Sequence, residues 1–176
     1  MLDTLIAGLR ANSCTVSGPM RVDEARATIV ARASAAIPRV VACNADVGIA
    51  GLVDALTANG VEVLATTDPA WNERLPDVAL GITGARAAVA EPATIALAAA
   101  PGSPRGTSLV PPEHLCVVRV DDVIATLADA MAVIAAGELP SALTWIGGPS
   151  RTGDLEMITT LGVHGPRAVE VVFVAE

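Results

Sequence analysis

The chain has 176 residues and a mass of 17.7 kDa, which fits a single domain spanning 1–176 that can bury roughly 70% of its extended surface. A formal net charge of −8 and a pI near 4.6 argue against nucleic acid as a partner, because neutralising phosphates takes clustered Lys and Arg. All 11 basic residues are Arg, and the missing Lys excludes a Walker A loop, a Schiff-base lysine and a pyridoxal-phosphate anchor together.

In chain order, residues 1–13 carry Leu2, Leu5, Ile6 and Leu9 at helical spacing. VDEARATIVARASA, 22–35, predicts a second helix after a turn at SGPM, 17–20. RVVAC (39–43) then predicts a strand, IAGLVDALTANG (49–60) a helix stopped at Asn59-Gly60, and VEVLAT (61–66) and VALGIT (78–83) two more strands. TIALAA (94–99) is a further strand, followed by the long loop APGSPRGTSLVPPEH (100–114), whose Pro, Gly and Ser content marks it as surface. HLCVVRV (114–120) predicts a strand and DVIATLADAMAVIAAG (122–137) a buried helix, too short and too polar at Asp129 to span a bilayer. LTWIG (143–147), a short helix GDLEMITT (153–160) and VEVVFV (169–174) complete the series. Strand runs that are apolar throughout imply burial on both faces. The predicted class is therefore α/β, three-layered, with a largely parallel sheet and helices on both faces.

Cys14, Cys43 and Cys116 are widely spaced, with no C-x-x-C and no His at ligand spacing, so they read as free buried thiols in a reducing cytoplasm and not as a metal site. The N-terminus lacks a basic start and a long apolar run, so no signal peptide is expected.

Two glycine-containing strand ends stand where a ligand would sit in an open α/β sheet. VALGITGARA contains Thr83 but shows only G-x-x-G, short of a dinucleotide fingerprint. WIGGPSRTGD is richer. Gly147 and Gly148 free the backbone, Ser150 or Thr152 would cap a helix starting near Gly153, and open amides with Arg151 would form an anion pocket. The bland alternative is a strand-to-helix turn in which Arg151 pairs with Asp154. Asp154 and Glu156 are two apart, so they suit a helix dipole better than a catalytic pair. His164, in the turn GVHGP, is either a general base or a turn-holding ring, whereas His114 reads as structural. Glu91, among apolar neighbours, is either solvated at a strand edge or held in a cleft where it could do chemistry.

VALGITGARAAVAEPATIAL, GGPSRTGDLE and GVHGP together resemble the LutC-type lactate-utilisation (LUD) domain family. The match rests on Gly148, Pro149, Ser150, Arg151, Thr152, Asp154, Glu156, Gly162, His164, Gly165 and Pro166, and covers roughly residues 40–176. The resemblance implies a fold similar to the ribose-phosphate isomerase, glucosamine-phosphate deaminase and CoA-transferase group. It also implies a role beside two iron–sulfur proteins in oxidising L-lactate to pyruvate, with clusters expected in the partner chains and none in this one. Where the family reads A-E-T-G-T, this chain has Ala90, Glu91, Pro92, Ala93 and Thr94, and Pro92 removes an amide donor. Its N-terminal part is also shorter than in typical members.

Three functions remain open on sequence. The first is an accessory subunit that binds a small anion at 148–152. The second is a free-standing enzyme acting on a phosphorylated sugar or CoA ester through Glu91 or His164, and the third is a binding module without chemistry.

Overall fold

The computed structural model describes residues 1–153 and 159–175. The chain opens with α1 (Leu2–Ala11), β1 (Thr15–Arg21), α2 (Val22–Ser34) and β2 (Val40–Cys43). Next come α3 (Leu52–Ala58), β3 (Glu62–Leu64), α4 (Trp71–Arg74), β4 (Leu80–Gly84), β5 (Ala87–Glu91) and β6 (Thr94–Ala99). The remainder is α5 (Gly106–Leu109), β7 (Glu113–Arg119), β8 (Val123–Thr126), α6 (Leu127–Ala135), β9 (Ala142–Ile146), β10 (Arg151–Gly153), β11 (Thr159–Leu161) and β12 (Ala168–Ala175).

Six strands form a parallel sheet in the order β1-β12-β7-β4-β2-β3. Its central strands are buried on both faces, which is why β4 and β7 are apolar almost without interruption. On one face, Ala25, Ile29 and Ala33 of α2 and Leu52 and Leu56 of α3 pack on Leu80, Ile82, Leu115, Val117 and Val172. On the other, Leu5 and Leu9 of α1 join Ala88, Ala90, Ile95 and Leu97 against Cys116, Val118, Val171 and Phe173. The expected α/β class is borne out. The second face, however, is covered mostly by a four-stranded mixed sheet, β8-β5-β6-β9, with α1 beside it.

Several local expectations are corrected. SGPM lies within β1, an edge strand that pairs with β12 around a register shift between Ser17 and Met20. An edge strand tolerates a Pro without an N–H, and Gly18 at φ 93° lets the backbone close on the Phe173 carbonyl, where a Cβ would stand 2.4 Å away. The predicted helix over 122–137 splits into β8 and α6, because the Thr126 hydroxyl accepts the Asp129 amide at 3.2 Å and caps the helix there. Nor is α6 buried: Ala130 and Ile134 face inward while Leu127, Met131 and Val133 are exposed. The 100–114 segment is not wholly surface, since α5 buries Thr107 and Ser108. Of the expected helix over 153–160, Gly153 belongs to β10 and Thr159 and Thr160 to β11, an antiparallel pair; residues 154–158 lie outside the described residues.

Candidate functional site in the crevice beyond β2 and β4

From β2 the chain runs through α3 to β3 on one side, then through α4 back across β2 to β4 on the other. The two connections use opposite faces, α3 packing with Val41 and α4 with Ala42. A crevice opens beyond the carboxyl ends of neighbouring strands where such a reversal occurs, and ligands favour it. In this chain the crevice lies between Asn44–Asp46, following β2, and Thr83–Arg86, at and after the end of β4.

Its two walls are hydrogen-bonded to each other. The Asn44 amide donates to the Ile82 carbonyl at 2.9 Å and the Gly84 amide to Asp46 Oδ1 at 3.1 Å. Only Gly fits at 84, because a Cβ would stand 2.0 Å from the Asp46 carbonyl oxygen. The Ser103 hydroxyl also bonds the Asp46 carboxylate. Desolvation by the surrounding walls raises the Asp46 pKa above the usual carboxylate value, opposed by those two hydrogen bonds and a third from its own backbone amide. Behind it, Thr107 donates to Asn44 Oδ1 at 2.6 Å, fastening α5 to the crevice floor.

In front of Asp46 lies a cleft of about 620 Å³ bounded by Ala98 and Ala99 of β6, Pro101, Arg86, and Glu138 to Ser141 ahead of β9. A small chamber beside it reaches Thr83, Ser103, Arg105 and Thr144. Thr83, expected at a ligand-facing strand end, thus stands at this site, and its Oγ1 is 2.9 Å from His114 Nε2.

His114 is buried, as expected for a structural residue, and its Nδ1 has no hydrogen-bond partner. Burial pushes its pKa down to about 4, so the folded ring stays neutral while an unfolded ring would titrate near 6.5. Its contribution to stability is therefore complete above pH 6.5 and is lost as pH falls towards 4, where the unfolded chain alone takes up the proton. Urea unfolding should show His114→Gln closing about 3 kcal/mol of the stability gap between pH 7 and pH 4 seen in the parent protein.

The sequence-predicted anion loop is placed elsewhere, against the end of α1. Gly147 has room around it, whereas a Cβ on Gly148 would stand 2.4 Å from the Asn12 carbonyl. The Ser150 amide donates to the Pro166 carbonyl at 2.9 Å, and the Ser150 carbonyl accepts from Gly162 at 3.0 Å. Arg151 donates to the Asn12 carbonyl at 3.1 Å and to Ser13 Oγ at 2.5 Å. These donors are spent on the chain's own acceptors. GGPSRTG and GVHGP, read as separate features in sequence, form one clasp that pins α1. Thr152 sits in β10. Arg151→Ala should cost about 1 kcal/mol or less in urea unfolding, the usual worth of a solvent-exposed hydrogen bond.

Glu91, at the end of β5, is exposed, which is the solvated alternative, and His164 is exposed in its turn. Asp154 and Glu156 lie outside the described residues. Burial pushes the Cys14 thiol up to about 11 and those of Cys43 and Cys116 to about 12, so all three stay protonated at neutral pH.

The LUD domain family profile matches residues 2–174. The chain belongs to the LUD domain family. This LUD domain is 36% identical over 117 residues to lactate utilization protein C of Deinococcus radiodurans, covering 65% of this chain and 55% of that protein. It is 38% identical over 100 residues to lactate utilization protein C of an Exiguobacterium species, covering 54% of this chain and 44% of that protein. The chain thus spans about half the length of the curated relatives it matches. A crystal structure of a DUF162 family protein from Deinococcus radiodurans superposes with a TM-score of 0.71 at 28% identity, over 98% of this chain and 95% of that one. The expected family is borne out.

Sequence reasoning did not single out Asp46, Arg86 or Ser103. One signal was available: in VVACNAD, polar residues follow directly on a buried strand, where an α/β sheet presents side chains to ligand. Nothing local pairs that segment with Ser103, more than fifty residues away in sequence.

Proposed function

We propose that this LUD domain is a ligand-binding component of a lactate-utilisation system, working through the crevice beside Asp46. The observation that carries the reading is the family match across residues 2–174, together with relatives named for lactate utilisation. The crevice is the second support, because it combines a strand-order reversal, an accessible carboxylate and a cleft of ligand size. In this reading the electrons of L-lactate oxidation pass to iron–sulfur clusters in partner proteins. The three cysteines are widely spaced and form no C-x-x-C, which supports assigning the clusters to partners.

The small-anion site first expected at 148–152 gives way here to the crevice, since the Ser150 amide and Arg151 are already engaged. The test is genetic. A strain lacking this chain should grow on pyruvate but not on L-lactate, and the wild-type gene should restore growth where Asp46→Asn does not. Undiminished growth of the deletion strain on L-lactate would overturn the proposal.

A further inference from the structure

The cleft beside Asp46 is unusual in which hydrogen-bonding groups it leaves unused. Around its rim the amides of Ala45, Gly84, Ala85, Arg86, Ala100 and Ser103 donate to Gly102, Asp46, Val117, Ala96, Ser103 and Ala100 respectively. Ser141 spends both its amide and its hydroxyl on the Ala99 carbonyl, at 3.1 and 3.2 Å, and the Ser103 hydroxyl is spent on Asp46. A phosphate site needs open amides converging on the anion, and these are all directed at the chain itself.

The side-chain groups that the cleft offers a guest are the Asp46 and Glu138 carboxylates, hydroxyl lone pairs and the Arg86 guanidinium. Arg86 is the one basic side chain lining this cleft among the described residues, and Asp122 lies within its electrostatic reach. Arg105 stands in the adjoining chamber. A polyanion entering here would meet two carboxylates and one partly answered guanidinium, which opposes it.

Size decides the rest. At about 620 Å³ the cleft falls among pockets that enclose drug-sized ligands, and a three-carbon acid would leave most of it to water. Its alanine and proline walls, with Leu139, suit an apolar body.

Resting on the reading that this crevice is the ligand site, we infer that it takes a partly apolar molecule, well above lactate in size, whose hydroxyl or ammonium head donates to Asp46, and that it rejects phosphates and CoA esters. Lactate itself is then not the principal occupant.

The test uses the full chain and four probes, with binding measured by calorimetry: phenylbutylamine, phenylbutanol, phenylbutyrate and coenzyme A. The first three share one apolar body and differ in the head. The amine and the alcohol should bind about tenfold or more tighter than the butyrate and coenzyme A, the equivalent of about 1.4 kcal/mol. Asp46→Asn should remove most of the amine's advantage. Glu138→Gln, an exposed change with little risk to folding, should reduce it less. Circular dichroism confirms that each variant is folded.

Coenzyme A or phenylbutyrate binding as tightly as the amine, in a manner that Asp46→Asn alters, would overturn the ligand class while keeping the crevice as the site. Binding that neither variant changes, or no binding by any probe, would overturn both.

Discussion

Phe173→Ala should lower the free energy of unfolding by about 3–5 kcal/mol. Phe173 is the only Phe and is fully buried. It lies on β12, between β1 and β7, in the cluster that joins the parallel sheet to Leu5 and Leu9 of α1 and to Ile95 and Leu97 of the mixed sheet. Most members of that cluster are Ala, Val and Leu held on separate strands and on α1, so they cannot readily collapse into the space a ring vacates. Phe173→Leu should cost less, about 1–2 kcal/mol, because part of the volume is kept. Urea denaturation measures both, and an unchanged slope with a shifted midpoint would show that stability has changed without a change in the surface exposed on unfolding. A loss below about 1 kcal/mol for the alanine variant would contradict the packing described.

Gly84→Ala should damage the site and the fold together. Its Cβ would stand 2.0 Å from the Asp46 carbonyl oxygen and 2.6 Å from its carbon, and neither is the free end of a flexible side chain. The loop after β2 must therefore move, and the bond from the Gly84 amide to Asp46 Oδ1 goes with it. The expected cost is about 1–3 kcal/mol of stability, with about tenfold or more loss of amine-probe affinity in the same titration. Gly60→Ala is the control. It carries a positive φ of 73° but has nothing within 4 Å of an added Cβ, so it should cost about 1 kcal/mol and leave the crevice unchanged. If Gly84→Ala binds the amine as the parent does, Asp46 is not held in place by this contact.

How much was legible depended on how local the signal was. The helices α1, α2 and α3 were readable because their apolar spacing and their stops lie within one segment, as at Asn59-Gly60. Strands β2, β4, β7 and β12 were readable because burial on both faces leaves an apolar run. β1 was not, since Ser17, Gly18 and Pro19 are turn residues by propensity and became a strand only through pairing with β12. β5 was not singled out as a strand, since its alanines lack the β-branched side chains that mark one, though Ala88 and Ala90 are buried between the two sheets. Thr126 and Asp129 did carry the capping signal that divides β8 from α6, and it was readable in principle.

The family was legible for a similar reason. GGPSRTG and GVHGP are contiguous motifs, and in the fold they close on one another, the Ser150 amide on the Pro166 carbonyl and Gly165 against the Ser150 side chain. Their density of Gly, Ser and Arg resembles an anion cradle when read along the chain. In three dimensions Arg151 is directed at the Asn12 carbonyl and the Ser13 hydroxyl at the end of α1.

The amino-acid sequence by itself determined the α/β class, the LUD family and the absence of lysine chemistry, because composition, periodicity and contiguous motifs are properties of neighbouring residues. Only the tertiary structure decided where a ligand could sit. Asp46, Gly84, Ser103 and Glu138 come from four separate segments, and what brings them to one cleft is the reversal of strand order at β2 and the second sheet laid across β7 and β12. Whether a donor is free for a ligand likewise depends on which distant carbonyl has already claimed it, and that is settled by packing.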